Sequence, residues 1–128
     1  MSDDNFFGPV IYSYTREQAI EDGVLVDVCY MSRQVGLKFH TVVTSTVWEQ
    51  YVKVPPEVPW QDESGRLWDI LWMLRMAIQR QRKDADTILY KLLVQNTDAP
   101  AEEITLKCVC GPGDKGEPVL TIMLPGED

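Results

Sequence analysis

Between Gln61 and Lys83 the chain reads QDESGRLWDILWMLRMAIQRQRK, and Leu67, Ile70, Leu71, Leu74 and Ile78 fall at i, i+3, i+4, i+7 and i+11. That spacing predicts one amphipathic helix over about 65–80, with an apolar stripe that another part of the molecule has to cover. Ser64 stands where an N-cap is needed, and Arg75, Arg80, Arg82 and Lys83 gather toward the end where the helix dipole favours cations. At ~1.5 Å per residue such a helix is roughly 24 Å long, enough to cross one face of a small sheet. Trp68, Trp72 and Met76 form a second stripe, one residue round from the first. The apolar arc is therefore wider than a single packing face requires, and that surplus points to a binding surface.

With 128 residues, the chain is sized for one domain that buries a core without staples. A hydrophobic fraction of 45% and four tryptophans exclude a disordered chain, and no apolar run approaches the ~18 residues of a membrane span. The opening MSDDNFFGPV is acidic and lacks a charged-then-apolar signal pattern, so a cytoplasmic protein is expected. Three cysteines, Cys29, Cys108 and Cys110, are an odd count and read as reduced core thiols. A net charge of −8 disfavours nucleic-acid backbone as a ligand, since that affinity comes from Lys and Arg on phosphates, and permits a basic protein as partner.

In chain order, residues 1–9 read as a loose arm ahead of a single α+β domain over 10–128, and Val10 to Tyr14 as a first strand. Thr15 and Gln18 make a capping box for a short helix in REQAIEDG, Gly23 stands past its C-terminus, and the apolar run Val24 to Val28 follows as a strand. Cys29 to Val35 is a second helical stretch stopped by Gly36, and Leu37 to Val43 a strand. Thr44 or Ser45 caps a third short helix carrying Val47, Trp48, Tyr51 and Val52 on one face. The proline-rich KVPPEVPWQDE is stiff and holds Trp60 near the start of the long helix. Three strands close the domain, over about 87–96, 104–110 and 119–124, the last two joined by the hairpin loop GPGDKGEP. In the middle one, Ile104, Leu106, Cys108 and Cys110 share a face. The expected architecture is a largely antiparallel sheet of about five strands, with one long helix and two or three short ones packed on it.

No motif assigns a reaction. GPGDKGEP resembles a phosphate loop only in composition, because a strand rather than a helix follows it. His40 is the only histidine, so an acid–base or nucleophilic site would have to use it, with Asp22 or Asp27 orienting the ring and Cys29 or a nearby serine as nucleophile. A zinc site would need His40, Cys29, Cys108 and Cys110 together, yet the C-x-C pair lacks the turn of a zinc knuckle; no metal and no cofactor are expected. Asp62 and Glu63 sit at a loop-to-helix junction, where acids serve the helix dipole. Trp60, Asp62 and Arg66 would cluster there, of the residue types that dominate interface energetics.

The segments TREQAIEDGVLVDV, QDESGRLWDILWMLR and LKCVCGPGDKGEPVLTIMLPGED resemble a family of small bacterial proteins of unknown function, found also on plasmids and in phages, over Tyr12 to Asp128. The resemblance implies a cytoplasmic protein of mobile-element origin and carries over no catalytic or binding residue.

The best-supported expectation is an accessory or regulatory protein-binding module using Trp60, Asp62, Arg66, Trp68 and Trp72, its partner another protein or a second copy. The first alternative is a small enzyme using His40 with Asp22 or Asp27, and the balance leans against it. The second is a mobile-element inhibitor of a nucleic-acid-binding enzyme. Nucleic acid and membrane are not expected as partners.

Overall fold

The computed structural model describes residues 14–81 and 85–127. Thr15 opens α1 (Arg16–Glu21): its hydroxyl accepts the Gln18 amide at 3.0 Å, and Gln18 Oε1 accepts the Thr15 amide at 2.9 Å. This is the reciprocal capping box expected there. The strand expected over Val10 to Tyr14 lies, for residues 10–13, outside the described residues, and Tyr14 belongs to no strand. β1 (Leu25–Asp27) leads into α2 (Cys29–Val35). Gly36 ends α2 at φ 105°, in the left-handed region that favours glycine, and a Cβ there would stand 3.1 Å from Arg75 Nε, which would have to shift slightly.

β2 (His40–Thr44) begins later than the sequence pattern predicts, and Thr44 caps the short α3 (Ser45–Val47) by accepting the Val47 amide at 3.2 Å. The chain then widens into a π turn (Trp48–Val52), closed by the Lys53 amide on the Trp48 carbonyl at 2.8 Å. The long helix α4 (Glu63–Arg80) is capped by Asp62, not Ser64: Asp62 Oδ1 accepts the Gly65 amide at 2.6 Å. An aspartate caps as well as a serine and adds a charge that the helix dipole stabilises, so the helix starts two residues earlier than its apolar period announces.

β3 (Thr87–Val94), β4 (Glu102–Pro112) and β5 (Pro118–Met123) complete a five-stranded mixed sheet of order β1-β2-β5-β4-β3. The pairs β1/β2, β5/β4 and β4/β3 are antiparallel and β2/β5 is parallel. Register sets the faces. Val43 opposes Ile122, Ile122 opposes Cys108 and Cys108 opposes Ile88, so these point to one side, where α4 lies. Leu67, Ile70, Leu71 and Leu74 of α4 are fully buried against that side, together with Leu106, Leu120 and Leu92. At ~1.5–3 kcal/mol for each fully buried side chain, those four residues hold the helix down with on the order of 10 kcal/mol before entropy is counted. Tyr90 ties strand to helix as well, its hydroxyl donating to the Ile70 carbonyl at 3.1 Å.

The second face carries Asp27, His40, Val42 and Thr121 on β1, β2 and β5, with α1 beside them: Arg16 Nη1 donates to Thr121 Oγ1 at 2.9 Å. Further across, on the edge strand β3, Leu89 and Leu93 are exposed on this face. Among the described residues no helix is long and apolar enough to cross a membrane.

Candidate functional site

Two places concentrate chemistry. At the start of α4, a cleft of about 530 Å³ is lined by Trp60, Asp62, Arg66 and Trp68, with Leu92 near the end of β3 and Gln95 just beyond it. Four of the five expected binding residues therefore meet in one cleft, and the fifth, Trp72, stands one helical turn on. Trp60 is 65% exposed, so the proline-rich connector presents its ring rather than packing it against α4. Trp68 and Trp72 are 38% and 39% exposed and stack face to face, ring centroids 6.3 Å apart and planes within 9°. The Arg75 guanidinium caps the stack, 5.3 Å from the Trp72 centroid. The i, i+4 spacing on a helix produces this ladder, and both indoles stay more than a third exposed.

Arg66 takes a different part from the one its residue type announces. It is buried, and its guanidinium donates to four neutral acceptors: Tyr51 O at 3.0 Å, Gln61 Oε1 at 2.7 Å, Gln95 O at 2.8 Å and Asn96 Oδ1 at 2.5 Å. Burial lowers its pKa from the ordinary value, while an arginine keeps its charge. The π turn explains the arrangement. Its late carbonyls lack helical partners, and Arg66 takes Tyr51 O while Asn96 Nδ2 takes Gln50 O at 3.0 Å. Arg66 thus builds the floor of the cleft and leaves the tryptophans to form its surface.

The second place lies on the other face of the sheet. His40 Nε2 is 3.1 Å from Asp27 Oδ2, and one ligand-type atom from each of Asp27, Cys29 and His40 lies within 4.8 Å of the other two. β1 supplies Asp27, the first turn of α2 supplies Cys29, and β1/β2 pairing delivers His40 beside them. Asp27 Oδ1 accepts the Cys29 amide at 2.9 Å, and the Thr41 amide donates to Cys29 Sγ at 3.3 Å. Burial pushes the Asp27 carboxyl up, but hydrogen bonds from the Cys29 amide and His40 outweigh it and hold the group below its ordinary value. Burial raises the Cys29 thiol, so the sulfur is protonated near neutrality and is a poor nucleophile as it stands.

Arg16 belongs to the same cleft, of about 560 Å³, which also collects Glu17, Glu21, Asp114, Lys115 and Glu117. Its Nε and Nη2 are buried and meet no hydrogen-bond partner among the described residues. Of the two carboxylates paired with His40 in the sequence expectation, Asp27 is the one in place, while Asp22 stands at the C-cap of α1 and accepts the Tyr14 hydroxyl at 2.6 Å. The hypothetical four-ligand zinc set divides between the faces. Cys108 and Cys110 line a third cleft with Phe39, Arg75 and Leu120, on the α4 side.

Sequence reasoning missed Arg16, Arg75 on Trp72, and Gln61, whose Nε2 donates to Gln95 Oε1 at 3.2 Å. Only the i, i+3 spacing of Trp72 and Arg75 was visible along the chain; the other partnerships are made by distant segments.

No curated protein and no solved structure matches the chain. The model of a family of unknown function, DUF6573, matches residues 3–128, nearly the whole length, and the chain belongs to that family.

Proposed function

We propose that this protein is an accessory protein-binding module whose contact surface is the Trp60, Trp68 and Trp72 end of α4. One observation carries the proposal: two tryptophans stacked in parallel on a helix, each more than a third exposed, with a third exposed tryptophan in the adjoining cleft. A folded domain gains little from leaving such area in water, whereas interfaces draw much of their energy from Trp and Arg. Asp62 and Asp69 border the cleft and the whole chain carries −8, so the surface suits a basic partner, brought in by charge and held by the indoles. A nucleic-acid-binding enzyme is the basic class that a mobile-element origin would supply, and a second copy is the other candidate.

The test is Trp72→Ala. With the ring already 39% exposed, stability is expected to fall by only about 1 kcal/mol, while self-association in sedimentation runs or capture of a basic partner drops tenfold or more. A variant that lost several kcal/mol of stability, with its association state and captured partners unchanged, would make the indoles part of the core and end the proposal.

The cluster at His40 lends itself less to nucleophilic catalysis. Its thiol is protonated, and the imidazole leans on Asp27. What three such groups suit is a cation.

A further inference from the structure

We propose that Asp27, Cys29 and His40 form a binding site for a zinc-class divalent cation, with three protein ligands and an open fourth position. One thiol, one imidazole and one carboxylate are the donor set of a borderline-soft metal and a poor one for magnesium or calcium, which want oxygens. Tetrahedral zinc with such ligands sets its donor atoms about 3.3 to 3.6 Å apart. His40 Nε2 and Asp27 Oδ2 are already at 3.1 Å, and the three donors lie within 4.8 Å of one another, so side-chain movements of roughly 1 Å close the set.

The surroundings match what a bound metal needs. The Cys29 amide holds Asp27 Oδ1 and leaves Oδ2 directed at His40, and the Thr41 amide donates to Cys29 Sγ, where it would stabilise a metal-bound thiolate. On binding, the metal replaces the thiol proton, which leaves to solvent. The cleft lined by Asp27 and His40 is net acidic, with Glu17, Glu21, Asp114 and Glu117 outnumbering Arg16 and Lys115, which favours a cation. Arg16 lines the same cleft as Asp27 and His40, and two of its guanidinium donors are buried without a partner among the described residues, so the side chain holds hydrogen-bonding capacity beside the cluster that the fold itself does not use.

Cobalt(II) reports on this directly, because a cobalt–thiolate bond gives a charge-transfer band in the near ultraviolet. Titrating the untagged full chain with Co²⁺ is expected to give that band with one ion per chain, and Zn²⁺ is expected to displace it. Cys29→Ser should abolish the band. His40→Gln, at a half-exposed position, should keep the fold and weaken binding by at least about tenfold, the lower end of what even outer-shell substitutions cost. Cys108→Ser should leave band and affinity as they are. A band that survives Cys29→Ser, an affinity indifferent to His40→Gln, or cobalt binding without a thiolate band would each overturn the proposal.

Discussion

The two faces of the sheet solve opposite problems. The face under α4 is a continuous apolar core: Leu71, Leu74, Leu106 and Ile122 are fully excluded from water, and Tyr90, its buried hydroxyl, is satisfied by the Ile70 carbonyl. On the other face the strands bring together an aspartate, a histidine and, from the adjoining helix, a thiol, beside an arginine whose buried donors meet no partner among the described residues. Where stability is the only requirement, every polar group is paired or absent. Polar groups assembled at a cost in desolvation, without full pairing, mark the place where the fold serves something else.

Leu71→Ala is the sharpest way to break that contrast. A fully buried leucine at the centre of the α4 contact should cost about 3 to 4 kcal/mol, through lost transfer energy and an incompletely collapsed cavity, read as a lower denaturant midpoint at unchanged slope. A cost near 1 kcal/mol would mean that α4 is not the main cover of the sheet.

Alkaline pH probes the same face more gently. Burial holds the Cys108 thiol up at about 12 against an ordinary 9.0, and burial raises the Tyr90 hydroxyl well above 10.0. Both groups keep their protons in the folded state at pH values where the unfolded chain has released them. The folded state therefore binds more protons, and stability falls as pH rises. The contribution from Cys108 is whole below pH 9 and is lost between about 9 and 12, at no more than about 1.4 kcal/mol per pH unit. Denaturant midpoints from pH 7 to 11 should show the decline, and Cys108→Ala should flatten it despite starting from a lower stability at pH 7. An unchanged slope in that variant would place the thiol in contact with water.

The difference between the faces is also a difference in what could be read along the chain. α4, the capping box at Thr15 and Gln18, and the alternation of Ile104, Leu106, Cys108 and Cys110 are local patterns with periods of a few residues, and each appears in the structure. The aromatic cleft was half legible: Trp60, Trp68 and Trp72 were singled out by an over-wide apolar arc, but Arg66 was not separable from them until Tyr51, Gln95 and Asn96 arrived from elsewhere in the chain. The cluster of the second face was scarcely legible at all. Asp27 and His40 stand 13 positions apart, and whether Asp22 or Asp27 meets the imidazole depends on where α1 ends and on the β1/β2 register.

The smallest expected effect bears on that cluster. In His40→Gln the folded protein loses one contact, that of His40 with Asp27, whose side chains are 35% and 46% exposed, and solvent screening limits such a pair to about 0.5 kcal/mol. Asp27 keeps the Cys29 amide, and Cys29 keeps Thr41, so the local backbone has no reason to move. Near-wild-type thermal stability, combined with a changed response to zinc, separates a site held ready for a ligand from a staple of the fold. Should His40→Gln instead unfold the protein as readily as Leu71→Ala, the imidazole would be bearing structure, and the second face would differ from the first only in the polarity of what it packs.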